Sequence, residues 1–124
     1  MLNKTDCLFD RDDKGELIGK EVELTTLDNK PKVIVRPLPR GKLMSIYSRA
    51  KEASQDEQVK IDNEVIMGGL VEPVFTEEEL ANIKPKYASA IAMAIMSASL
   101  GISQEEIGDK AKAVNQEELA IKKL

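Results

Sequence analysis

The stretch 21–38, EVELTTLDNKPKVIVRPL, decides the fold. Its two halves are rich in β-branched residues and are separated by Asp28-Asn29-Lys30-Pro31, a turn-forming cluster. Val22, Leu24 and Thr26 alternate along the first half, and Val33 and Val35 along the second, so each half can turn one face to a core. The pattern predicts a β-hairpin over about Glu21 to Leu38. Pro37 and Pro39 lack the N–H that a strand ladder uses, and they close the second strand. A hairpin alone is marginal in water, so this one must lie on other elements or pair with a second copy.

Downstream of Arg40 the apolar period changes from two to helical spacing. Leu43, Ile46, Tyr47 and Ala50 mark a first amphipathic helix. A second is expected from about Asp56 to Met67, with Val59, Ile66 and Leu70 on one side and Gly68-Gly69 as its stop. An extended link, Leu70 to Phe75, leads to Thr76-Glu77-Glu78-Glu79, a capping-box pattern that starts a short helix ending near Ile83. Pro85 opens a fourth helix and Gly101 ends it. Ser103 with Glu106 repeats the capping box before a charged last helix from about Gln104. The expected fold is therefore α+β, an N-terminal β-hairpin followed by a mainly helical bundle of four to five helices. Residues 1–20 form a polar arm or a small hairpin pairing Leu8-Phe9 with Leu17-Ile18, residues 21–103 the core domain, and residues 104–124 a charged tail.

Composition narrows the chemistry. The 124 residues include no histidine, no tryptophan and one cysteine, which removes the usual general base, any Cys/His zinc cage and any disulfide within the chain. With 18 basic against 22 acidic residues the net charge is −4, and no segment is basic enough to neutralise a run of phosphates. Lys30, Lys32, Arg36 and Arg40 form the only locally basic stretch, and with few aromatics to stack bases it is better explained as a charged strand edge. The N-terminus has no signal pattern, and the uncharged run from Tyr87 to Gln104 is broken by serines and alanines, so a soluble cytoplasmic protein without a membrane span is expected.

Four local patterns invite chemical readings that the residues do not support. Asp10, Asp12, Gly15 and Glu21 fall at calcium-loop positions, but Lys14 stands where an oxygen ligand is needed and strand, not helix, follows Glu21. Glu77, Glu78 and Glu79 are consecutive on a helix and cannot converge on one atom. Cys7 has no activating histidine, and none of the glycines belongs to a phosphate-cradling motif. Catalytic, cofactor and metal sites are accordingly assigned to no residue, and no small-molecule substrate is expected.

The fourth helix is the most informative segment. Tyr87, Ala88, Ile91, Ala94, Ile95 and Ala98 share one face, while Met93, Met96 and Leu100 lie opposite. Such a helix is either packed on all sides or carries a docking surface, for which unbranched thioethers are suited because they repack against varied apolar partners.

The order of elements, VIVRPL, then KLMSIYSRAKEA, then IMGGLVEPVFTEEEL, then IAMAIMSASLGIS, resembles the small tail assembly chaperones of long-tailed bacteriophages and prophages. The resemblance covers about Val22 to Ser103, and its most specific piece is Gly69-Leu70-Val71-Glu72-Pro73. It implies a non-catalytic protein of the host cytoplasm, absent from the mature virion, that coats the tape measure protein until major tail protein subunits polymerise around it. Members of that family are often made in two forms by a programmed frameshift, and the Lys122-Lys123 pair is what an A-rich slippery site would encode, a reading that competes with ordinary lysines at a helix end. On this basis Tyr47, Ile91, Met93, Ile95 and Met96 are the candidate partner contacts, with core membership the simpler explanation for Ile91 and Ile95. Self-association through the hairpin edge is compatible with the same pattern. The competing expectation within phage assembly is a head-tail connector or tail completion protein retained in the particle.

Overall fold

The computed structural model describes residues 1–107. Within them a 3-10 turn at Lys4–Cys7 precedes strands β1 (Lys20–Glu23) and β2 (Lys32–Val35), helices α1 (Arg40–Ala50) and α2 (Gln55–Gly69), strand β3 (Leu70–Glu72), and helices α3 (Glu77–Ala81) and α4 (Pro85–Leu100). The fold is α+β, with the N-terminal strands preceding the helices as the sequence predicts. The expected helix at the C-terminus begins with a helical turn over residues 104–107; its remainder, and the Lys122-Lys123 pair, lie outside the described residues.

The hairpin pairs Lys20 with Val35, Glu21 with Ile34, Val22 with Val33 and Glu23 with Lys32. Leu24, Val33 and Val35 are buried, so the alternation selects the inner face as expected. Thr26 is a correction: it is exposed, because the chain leaves the ladder at Leu24, whose N–H donates to Pro31 O at 2.8 Å, and turns through Thr25-Thr26.

The segment expected as an extended link supplies a third strand. β3 pairs antiparallel with β2 on the edge opposite β1, so the order is β1-β2-β3 and the most apolar strand is central. This resolves the weakness of an isolated hairpin within a single chain.

The helices start and stop where their caps dictate. The Ser54 hydroxyl accepts from Glu57 N at the start of α2, and the Thr76/Glu79 capping box is complete, with Glu79 N donating to Thr76 Oγ1 and Thr76 N to Glu79 Oε1. Pro85 occupies the first turn of α4, and Gly101 ends it in the left-handed region, donating to Ser97 O at 2.9 Å. Gly68 and Gly69 depart from their expected role as a stop signal, since neither adopts positive φ and α2 runs through both. They provide room instead. A Cβ on Gly68 would meet Leu38 Cδ2 at 3.1 Å, and one on Gly69 would collide with Ile95 of α4. The buried face of α2 is Ile61, Val65, Ile66 and Gly69, whereas Val59, expected on that side, is 59% exposed.

The core forms where α2, α4 and the inner face of the sheet meet. Arg36 ties β2 to the end of α2, its N–H donating to Gly69 O at 2.8 Å and its Nε to Gly68 O at 3.2 Å, where helix carbonyls lack intrahelical partners. Leu38 N donates to Ser99 Oγ at 2.8 Å, and Ser99 Oγ to Ile95 O at 2.7 Å, fixing the strand exit on α4. An Arg49–Glu64 pair with contacts of 2.7 and 2.9 Å joins α1 to α2.

Candidate docking surfaces

α4 packs chiefly on α2 and β2 through Ala90, Ile91, Ala94 and Ile95. Ile91 and Ile95 are 3% and 0% exposed, so their contribution is to the core and they are not available as contacts in this fold. Met93, Met96 and Leu100 occupy the opposite face at helical spacing. Met93 and Met96 are half-buried, Met96 also packing on the edge of the core, and Leu100 is 39% exposed. Met93 also lines a surface pocket with Thr26, Leu27 and Asp28, so the result is a narrow, partly covered strip of flexible apolar side chains along one helix. Tyr47 stands apart on α1, which packs on α2; it is 38% exposed, and partial burial raises its hydroxyl pKa above the ordinary tyrosine value.

A second apolar surface lies beside the strip's own helix. The N-terminal arm turns back at Asp12–Gly15, where Gly15 takes φ +81°, and a short antiparallel contact aligns Arg11 with Leu17. Ile18 N donates to Asp10 O at 3.2 Å and Asp12 N to Glu16 O at 2.8 Å, so the arm hairpin exists, with Leu8 and Phe9 beyond its paired residues and not opposite Leu17-Ile18. Phe9 and Ile18 from the arm, Val22 and Val35 from the sheet, and Ala94 and Ala98 from α4 enclose an open groove of about 370 Å³. Phe9 and Ile18 are each 42% exposed.

Gln104 also lines this groove and is itself buried. Its Oε1 accepts from Thr25 N and Thr25 Oγ1, both at 3.3 Å, and its Nε2 donates to Glu23 O at 2.7 Å. The chain after α4 is thereby fastened to the β1–β2 connection.

Several other charged side chains serve local structure. Asp12 Oδ1 accepts from Lys14 N at 2.9 Å and Glu16 N at 3.0 Å, which uses the carboxylate to close the arm turn. Glu79 serves the α3 cap, and Lys32 pairs with Glu21 at 3.5 Å on the sheet surface. Among the described residues no group of three or more acidic, cysteine or histidine side chains could hold a metal ion, and no helix is long and apolar enough to cross a membrane.

The Met strip was legible from helical spacing. The groove was not, because its walls come from three separated segments; the only local signal was the pair of apolar doublets, Leu8-Phe9 and Leu17-Ile18, in an otherwise polar arm. In comparisons with known proteins the chain matches no family model, no curated protein and no solved structure.

Proposed function

We propose that the chain is a non-catalytic assembly chaperone of the phage tail, acting in the host cytoplasm and absent from the finished particle. Its partner is the tape measure protein, a long helical chain whose apolar stripes need cover before tail subunits enclose it. The reading is supported by the order of elements across Val22 to Ser103 and by the strip formed by half-buried Met93 and Met96 and exposed Leu100. The strip is the observation that carries it.

A row of unbranched apolar side chains on one helix suits an amphipathic partner helix, because thioethers adjust to successive, non-identical stripes. The narrowness of the strip fits the role as well. A coat that must be shed during polymerisation works through many weak contacts along a long chain, with avidity supplying the overall affinity.

The test is co-purification of tape measure segments with the native chain and with a Met93→Asp/Leu100→Asp variant. Met96 is left intact because it also packs on the core. Capture by the native chain and its loss from a variant of unchanged thermal midpoint is the expected result. Equal capture by both chains would remove the strip from the account.

A further inference from the structure

The polar arm is a folded unit in its own right. Its turn is closed from within: Asp12 N donates to Glu16 O at 2.8 Å, Asp12 Oδ1 accepts from Lys14 N and Glu16 N, and Arg11 Nη1 donates to Gly15 O at 2.7 Å. Ile18 N closes the open end of the hairpin on Asp10 O at 3.2 Å. Among the described residues, no hydrogen bond or ion pair joins residues 1–19 to the rest of the chain.

The arm meets the fold through Leu8, Phe9 and Ile18, which line the groove together with Val22, Ala94 and Ala98. These three side chains are 60%, 42% and 42% exposed, and none of residues 1–19 is buried. The groove residues Val35 and Ala94, in contrast, belong to the core and are held by their own neighbours. A unit with few buried contacts, all of its hydrogen bonds internal, separates from the fold at far lower cost than a core element does.

The joint between arm and sheet is Gly19. A Cβ there would meet Ile34 Cγ2 at 3.0 Å and Val71 Cγ2 at 3.3 Å, so the backbone at this position is pressed against the sheet. Strand β1 begins at the next residue, Lys20, paired with Val35. The arm therefore turns about one residue that packing holds in place and that has no side chain to restrict its dihedrals.

We propose that residues 1–18 form a latch that swings as one unit about Gly19, covering Val22 and Ala98 in one position and uncovering them in the other. The latch is independent of the tape measure reading, because Met93 and Leu100 lie on the opposite face of α4. Its consequence is that the chain presents the Met strip in both positions and the apolar wall of the groove only when the arm is open.

The test uses the full chain with nitroxides on the native, exposed Cys7 and on a Val59→Cys substitution in α2, and measures the distance between them in frozen solution by pulsed dipolar electron resonance. Phe9→Asp/Ile18→Asp is the opening variant. The expected result is one distance dominating in the parent and a second, distinct distance replacing it in the variant. The Asp12 and Gly15 amide shifts, which report the arm's own turn, and the Leu24 and Ile95 methyl shifts, which report the core, should stay at their parent positions. The same distance in both chains would overturn the latch, because the arm would then be fixed. Asp12 and Gly15 amides moving to unstructured positions would overturn it as well, since the arm would unravel instead of swinging. Displacement of the Leu24 and Ile95 signals would make the arm part of the core and overturn it equally.

Discussion

Gly69 of α2 lies so close to Ile95 of α4 that a Cβ on the glycine would come within 2.9 Å of Ile95 Cγ1 and nearer still to Cγ2. Ile95 is fully buried, and the helices carrying these residues form the centre of the core. The glycine is there for approach, since its φ is negative and any residue could adopt it.

Gly69→Ala should therefore destabilise the chain by about 1–3 kcal/mol through overpacking. Ile95→Ala should cost about 2–5 kcal/mol by itself. In the double variant the added methyl occupies space that the isoleucine vacated, so the two penalties should sum to more than the measured loss. Denaturant unfolding of the four chains checks this; strict additivity would refute the close contact.

Gln104→Ala leaves Glu23 O and Thr25 N without their partner and should cost about 1–3 kcal/mol. The local signature is faster amide exchange at Thr25, with the amides of α2 keeping their protection relative to global stability. Unchanged Thr25 exchange would show that Gln104 does not fasten the loop.

Two carboxylates on α2 give opposed pH dependences. Burial raises the Asp62 pKa, partly offset by the Gln58 hydrogen bond, so the folded chain binds that proton more readily than the unfolded one. Asp62 thus costs stability at neutral pH, and the cost fades as pH falls through its raised pKa toward the ordinary aspartate value. Hydrogen bonding to Arg49 lowers the Glu64 pKa, so its stabilisation is present above the ordinary glutamate value and is lost as pH falls through the lowered one. Asp62→Asn, which keeps the oxygen facing Gln58, should be more stable than the parent at pH 7, and Glu64→Gln less stable. The Asp62 difference should close once pH falls below the ordinary aspartate value, and the Glu64 difference only at lower pH, after the lowered glutamate pKa has been passed, as measured by unfolding across pH. A constant offset at every pH would contradict both assignments.

Local rules made much of the architecture legible. Alternation in EVEL and KVIV identified the hairpin, and Thr76, Pro85 and Gly101 marked helix boundaries through chemistry that acts within a turn. What escaped was set by distant neighbours. Leu70–Glu72 becomes a strand because β2 offers an edge, and Gly68-Gly69 are small because Leu38 and Ile95 lie against them. For α4, periodicity separated Met93 and Met96 from Ile91 and Ile95 by face, but only the packing of α2 and β2 showed which face is covered. Tyr47 shared helical spacing with Leu43 and Ile46 yet lies at the margin of that buried face.

The most direct test of the proposed chaperone role is co-expression with the tape measure protein proposed as its partner, followed by measurement of that protein's soluble fraction. The account predicts that the tape measure protein is soluble only when the native chain is present and returns to the pellet with Met93→Asp/Leu100→Asp. The same insoluble fraction with and without the native chain would contradict the chaperone function itself.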